Sequence, residues 1–412
     1  MSSHRIDYLA IPAWTKGWLT ILAALVAAIV AAGIAVLYME HQGHWVTGMT
    51  NQVVWGMPHV FAIFLIVAAS GALNVASIGS VFGREVYQPL GRLSALMAMA
   101  LLAGGLGVLV LDLGRPDRLI VAMTHFNFKS IFAWNVILYS GFFAVVGFYL
   151  WAMIDWRMKR AYKPAAITAF LWRLILTTGT GSIFGFLMAR DAYNSAVMAP
   201  LFIAMSFAFG LALFILFLMG SSAALARPLS QQLLRKKGRL LGLFIAANLY
   251  FVAVQHVTAL YQADRVPVET FILLQGGVYT WLFWGVQVGL GGLLPLFLVL
   301  RPDAMRCHLR AAAILVVLGG LAQIYVILIG GQAFPLTLFP GMEVASSFAD
   351  GQVNAYVPTL AEVVLGLGGF ALALTLTIVG ASAFRILPAS LGDGEDATAE
   401  VIDAEGEPLA AQ

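Results

Sequence analysis

The chain has 412 residues, of which 61% are hydrophobic and only 10% charged, and its net charge is +3. With a mean hydropathy of +0.90, it carries more apolar surface than one water-soluble core absorbs, since soluble domains rarely exceed about half apolar residues. The small net charge, with no basic cluster on a soluble face, argues against nucleic acid as a partner.

Apolar stretches of about 20 residues recur along almost the whole chain, each long enough to cross a ~30 Å hydrocarbon layer as a helix. Lipid-exposed backbone must satisfy itself internally, and no barrel-like alternation is visible. The predicted fold class is therefore an all-α integral membrane protein in the lipid bilayer. Ten spans are expected at 17–38, 57–81, 92–112, 130–152, 165–187, 199–223, 239–261, 275–300, 309–331 and 360–384. The first is read as a retained span, because no small-residue cleavage site follows it. Residues 1–16 form a cytoplasmic N-terminus, 17–387 the transmembrane domain, and 388–412 an acidic tail too polar to fold by itself.

An even number of spans puts both termini on one face. Lys and Arg concentrate there, as in Arg157, Lys159, Arg160 and Lys163, then Arg235, Lys236, Lys237 and Arg239. The opposite face holds Arg115, Arg118, Lys129, Arg190 and Arg265. The positive-inside rule then predicts cytoplasmic termini in a bacterial inner membrane. Gly91-Arg92-Leu93 opens span three and Gly238-Arg239-Leu240 opens span seven. That internal similarity predicts parallel four-helix bundles from spans two to five and six to nine, with spans one and ten outside them.

Ionisable residues inside spans are costly and mark candidate sites. His59 at the outer start of span two and Asp112 at the outer end of span three fall at one level if the two helices are antiparallel neighbours. An imidazole and a carboxylate there suit hydrogen bonds to a quinone head and the protons released by quinol oxidation. The alternative is an interfacial histidine and a turn aspartate. Arg115 is expected to fix the Asp112 charge, and His125 and Arg190 to border the entrance. Thr177 to Gly185 in span five reads as a close-packing run. Arg173 is expected to snorkel toward the cytoplasm; if it does not, Asn74, Asn135 and Asn248 are candidates for a hydrated path. His59 with His256 offers an alternative, axial ligation of a b-type haem. No other metal-ligand spacing appears. The single cysteine, Cys307, rules out a cysteine-ligated cluster held by this chain alone, so such centres belong to partners.

Leu113-Gly114-Arg115-Pro116, Asn127-Phe128-Lys129-Ser130 and Trp134 resemble the signature hairpin of the NrfD and polysulfide-reductase membrane-subunit family. Tyr356-x-Pro358-Thr359-x-x-Glu362 resembles the entry to the last span in its ten-span branch. The span-five run, with Met198-Ala199-Pro200-Leu201-Phe202, is most similar to the DsrP branch of the DsrMKJOP complexes of sulfur metabolism. The resemblance implies a subunit without metal of its own that binds menaquinone or ubiquinone near the periplasmic face. A ferredoxin-like iron–sulfur subunit would dock there, with other membrane and cytochrome subunits in the complex. It also implies that Arg115, Asn127 and Ser130 shape the docking surface or pocket rim, with Glu362 near the same face. A haem b cytochrome and a secondary transporter are the competing readings. Against the transporter, Arg173 is almost the only charged residue near the midplane.

Overall fold

The computed structural model describes residues 8–12, 15–227, 229–336 and 351–388. The acidic tail beyond Pro388 and the first seven residues lie outside the described residues. Among the described residues, ten helices are long and apolar enough to cross a membrane: Lys16–Gln42, Met57–Ser80, Val86–Leu111, Ile131–Ile154, Trp156–Gly185, Met198–Ala224, Gln231–Tyr261, Val278–Leu300, Arg306–Ala333 and Leu360–Ala383. They are spans one to ten as predicted in number and order, with spans three, five and seven starting six to nine residues earlier than expected. A two-residue antiparallel pairing of Tyr8–Leu9 with Leu387–Pro388 joins the two ends of the described chain on one face. Arg92 completes that junction, its guanidinium 3.8 Å above the Tyr8 ring and bonded to the Arg385 carbonyl at 3.2 Å.

Local chemistry sets the ends that matter. Span two starts at Gly56-Met57-Pro58, with proline in the first turn, where its missing N–H costs nothing. Span three stops at Asp112 because Gly114 adopts φ +67° and Pro116 opens a separate 3-10 turn, Pro116–Arg118, leading into a short helix, Leu119–Thr124. Span eight is wound as a π-helix over Leu282–Leu293, and span nine over Val326–Gly330.

The helices close two rings. Spans two, three, four and five pack in circuit, and so do spans six, seven, eight and nine; span ten lies on spans two and three, and span one on span ten. Span two is the most buried of the ten and joins the rings by packing against span six. The seam is as close as backbones allow. A β-carbon on Gly71 would stand 1.6 Å from the Ser206 carbonyl oxygen, and one on Gly210 would stand 2.1 Å from the Ala72 nitrogen. Small residues admit this approach in lipid, where packing replaces the hydrophobic effect between helices.

Candidate functional site

Spans two and three are antiparallel neighbours, so the third residue of one meets the cap of the other. Nδ1 of His59 lies 2.7 Å from Oδ2 of Asp112, with the carboxylate side chain wholly buried. The approach is at ion-pair distance but off the line of a hydrogen bond, and among the described residues neither Nδ1 nor the two carboxylate oxygens has another partner. Trp55 stacks on the imidazole, with ring centroids 6.3 Å apart. With Nδ1 turned to Asp112, Nε2 is the ring nitrogen left for a ligand.

Trp55 and His59 border a cavity of about 370 Å³ enclosed by spans two to five. That is the size of a small-molecule site. Its walls are largely apolar, with Ile63, Ile66, Leu106 and Leu109 on one side and Phe132 and Phe184 on the other. The short helix Leu119–Thr124 contributes Leu119 and Met123 to the wall. Four polar side chains break this surface: Asn135, Tyr139, Ser140 and Thr180. Tyr139 Oη and Thr180 Oγ1 are 3.3 Å apart. Asn135 donates to the carbonyls of Ile131 at 2.9 Å and Gly179 at 3.1 Å, leaving its buried Oδ1 as an unused acceptor. The cavity thus offers an imidazole backed by a carboxylate, a separate cluster of neutral polar groups, and aliphatic walls. Reading charged and polar residues alone misses Trp55, although the Trp55-x-x-x-His59 spacing carries the signal for an aromatic wall. The glycines of the span-five run do serve close packing, as expected, since a β-carbon on Gly179 would meet Leu138 at 2.5 Å. Thr180, one residue on, faces the cavity.

The remaining expected residues are placed elsewhere. Arg115 does not hold Asp112. Its guanidinium forms a two-pronged pair with Asp117, at 3.0 and 2.9 Å, because Gly114 turns the chain outward and puts both side chains in solvent. The hydrogen bond from Arg115 holds the Asp117 carboxyl below the usual carboxylate range. His125 is exposed and meets Thr124 Oγ1 at 3.0 Å, and Asn127 closes a local turn by accepting from the Lys129 N–H at 3.0 Å. Neither borders the cavity. Arg190 is half buried at a loop junction. It donates to the Gln332 carbonyl at 3.0 Å and to that of Gln52, and burial lowers its guanidinium from the ordinary value.

Glu362 is fully buried away from the cavity, where it works as a clamp. It accepts from the Tyr356 hydroxyl at 2.7 Å, the Gly48 N–H at 2.9 Å, and the N–H and hydroxyl of Thr359 at 2.8 and 2.9 Å. Tyr356 in turn accepts from the Met57 N–H at 2.6 Å. Burial first, and then the Glu362 charge, push the Tyr356 hydroxyl well above the ordinary phenol range, so it stays a donor. The two residues fix the start of span two, two positions before His59.

Arg173 does not snorkel. It is buried in mid-span, donates to Asn74 Oδ1 at 2.8 Å, and sits between the rings of Phe170 and Phe207 at 4.9 and 5.0 Å. The three asparagines make no single path: Asn74 serves Arg173 and Asn135 the cavity, while Asn248 exchanges two hydrogen bonds with Gln323 in the other ring, at 2.8 and 3.2 Å. Lys237, read from sequence as a surface cation, is fully buried against Tyr87 and Phe214. His256 pairs with Glu269 at 2.6 Å, so His59 and His256 each face a carboxylate in a different ring.

Residues 45–336 match the family model of the polysulphide reductase NrfD. The chain belongs to the NrfD family. Along 93% of its own length it is 28% identical to the Hdr-like menaquinol oxidoreductase integral membrane subunit of Archaeoglobus fulgidus, of which it covers 95%. It is also 26% identical to a putative dimethyl sulfoxide reductase membrane subunit from Halobacterium salinarum, over 90% of this chain and 91% of that one. A selenate reductase subunit from Mesobacillus selenatarsenatis is 24% identical over 81% of this chain and 86% of its own. The family match takes in His59, Asp112 and every residue that borders the cavity. The Tyr356–Glu362 clamp of this NrfD chain lies beyond it.

Proposed function

We propose that this chain is the quinone-binding subunit of a membrane oxidoreductase complex and that it handles the quinone head beside His59 and Asp112. The observation that carries the reading is His59 on the wall of a largely apolar cavity, backed from behind by the buried carboxylate of Asp112. A relative from Archaeoglobus fulgidus named as a menaquinol oxidoreductase subunit supports it.

In the quinol-oxidising direction, Nε2 of His59 accepts the proton of one quinol hydroxyl, and Asp112 stabilises the imidazolium that forms. Asn135 Oδ1 is a free acceptor for a second hydroxyl. Each quinol leaves as quinone after giving two electrons to iron–sulfur centres in a partner protein and two protons to His59 Nε2 in turn, since the Asn135 amide accepts a hydrogen bond but no proton. The partner is assigned to the hairpin face, outside the cytoplasm, with both termini cytoplasmic. In support, the helix Leu119–Thr124 buries none of its residues, exposes Ile120 and Val121, and also walls the cavity. The span-five run and Met198–Phe202 favour a DsrMKJOP-type complex of sulfur metabolism.

The deciding experiment is quinol-dependent electron transfer by the purified complex carrying Asp112→Asn or His59→Gln. Turnover falls while the complex keeps all of its subunits. Wild-type turnover in both variants overturns the assignment.

A further inference from the structure

A second cavity, of about 290 Å³, opens on the face that carries the chain ends, between the start of span seven, the end of span eight and the start of span nine. Arg235, Arg239 and Arg301 border it. On span seven the bordering positions are 231, 234, 235, 238 and 239, a spacing that gathers them on one helix face. Arg301 is held by Asp303 at 2.9 Å. Among the described residues, no carboxylate lies at ion-pair distance from Arg235 or Arg239. The cavity therefore has an excess of positive charge at the end of a membrane-length helix. Gln231 adds a neutral polar side chain, and the rest of the wall is mostly apolar, through Leu234, Val299 and Leu309. One turn deeper into the bilayer, Leu243 on span seven and Phe297 on span eight are exposed.

We propose that this cavity binds the phosphate of an anionic phospholipid, with the acyl chains lying on the exposed faces of spans seven and eight. Guanidinium groups pair with phosphate oxygens through two parallel N–H bonds, and basic pockets between helices at a membrane surface recognise anionic headgroups. A free anion would use the arginines but not the apolar continuation. The chain's own acidic segment, which includes Asp393, Glu395 and Asp396, would use the charge and leave the exposed aliphatic surface bare.

The test is lipid titration of the full-length protein by native mass spectrometry, with phosphatidylglycerol and phosphatidylcholine of matched chains. A first phosphatidylglycerol binds in preference to phosphatidylcholine. Each of Arg235→Gln and Arg239→Gln lowers that preference about fivefold, the share of one basic residue near an anionic headgroup. Lys236→Gln, on the neighbouring exposed position, leaves it intact and controls for net charge. The proposal is overturned by equal binding of the two lipids, by an unchanged preference in both arginine variants, or by displacement of the bound lipid by millimolar inorganic phosphate, which would mark a free-anion site. A preference that emerges only when the acidic residues beyond Pro388 are changed to their amides would assign the cavity to that segment, and also overturns it. Melting temperatures of the single variants near wild type show that the fold is kept. Quinol turnover is a separate readout, so loss of the quinone assignment leaves this result standing.

Discussion

The Nδ1 of His59 and a carboxylate oxygen of Asp112, 53 positions apart in the chain, stand 2.7 Å from each other in a pocket that excludes solvent from the acid. The pair exists because span two begins and span three ends at the same membrane level. The carboxylate occupies one ring nitrogen of the imidazole, while the ring itself borders the cavity, so the other nitrogen is the one left for a ligand.

Asp112→Asn removes the charge that stabilises the imidazolium and keeps the side-chain shape. Quinol-dependent turnover drops about 100-fold or more, the usual worth of a positioned acid–base group. His59→Gln does the same, and the double variant is no slower than the worse single one, because the two act as a unit. Steady-state kinetics on the assembled complex checks this; additive losses would contradict it.

Arg115→Gln separates two accounts of the hairpin. If Arg115 held Asp112, the variant would match Asp112→Asn. Its partner is the exposed Asp117, so turnover and melting temperature stay near wild type; an exposed pair contributes little. The Asp117 carboxyl, released from Arg115, returns upward toward its ordinary range.

Tyr356→Phe deletes the hydroxyl that links Glu362 to the Met57 N–H. A buried carboxylate and a backbone donor each lose a partner, which costs about 1–3 kcal/mol and is read as a lower melting temperature. The sign with pH follows from the raised hydroxyl. The unfolded tyrosine ionises above about pH 10 while the folded one does not. Its contribution is fully present below that pH and is lost as pH rises beyond it, so the wild type loses its advantage over Tyr356→Phe only in strong alkali.

Asn74→Leu leaves Arg173 buried without its one side-chain acceptor. Loss of a neutral hydrogen-bond acceptor for a buried charged donor destabilises by about 1.5–3 kcal/mol, measured as reduced yield and earlier thermal aggregation. Arg173→Leu in the same background recovers much of that loss, since the uncompensated charge is gone.

Gly71→Leu puts a side chain where the Ser206 carbonyl stands. The two rings cannot close, and the protein fails to accumulate. Gly33→Leu, in span one where a β-carbon meets nothing within 4 Å, is the matched control and accumulates normally.

The sequence by itself determined the class of the molecule, because hydropathy over 20 residues is a local quantity. The ten spans were legible from it. The His59–Asp112 pairing was legible too, since topology alone brings two helix ends to one level. Partner choice was not, because it depends on which side chains the packed helices leave in reach. Arg115 takes Asp117 once Gly114 turns the chain outward. Glu362 clamps the start of span two from more than 300 positions away. Arg173 and Lys237 stand inside against an asparagine and aromatic rings that come mostly from other spans. Those choices belong to the tertiary structure: a buried charge settles where distant helices supply its partners.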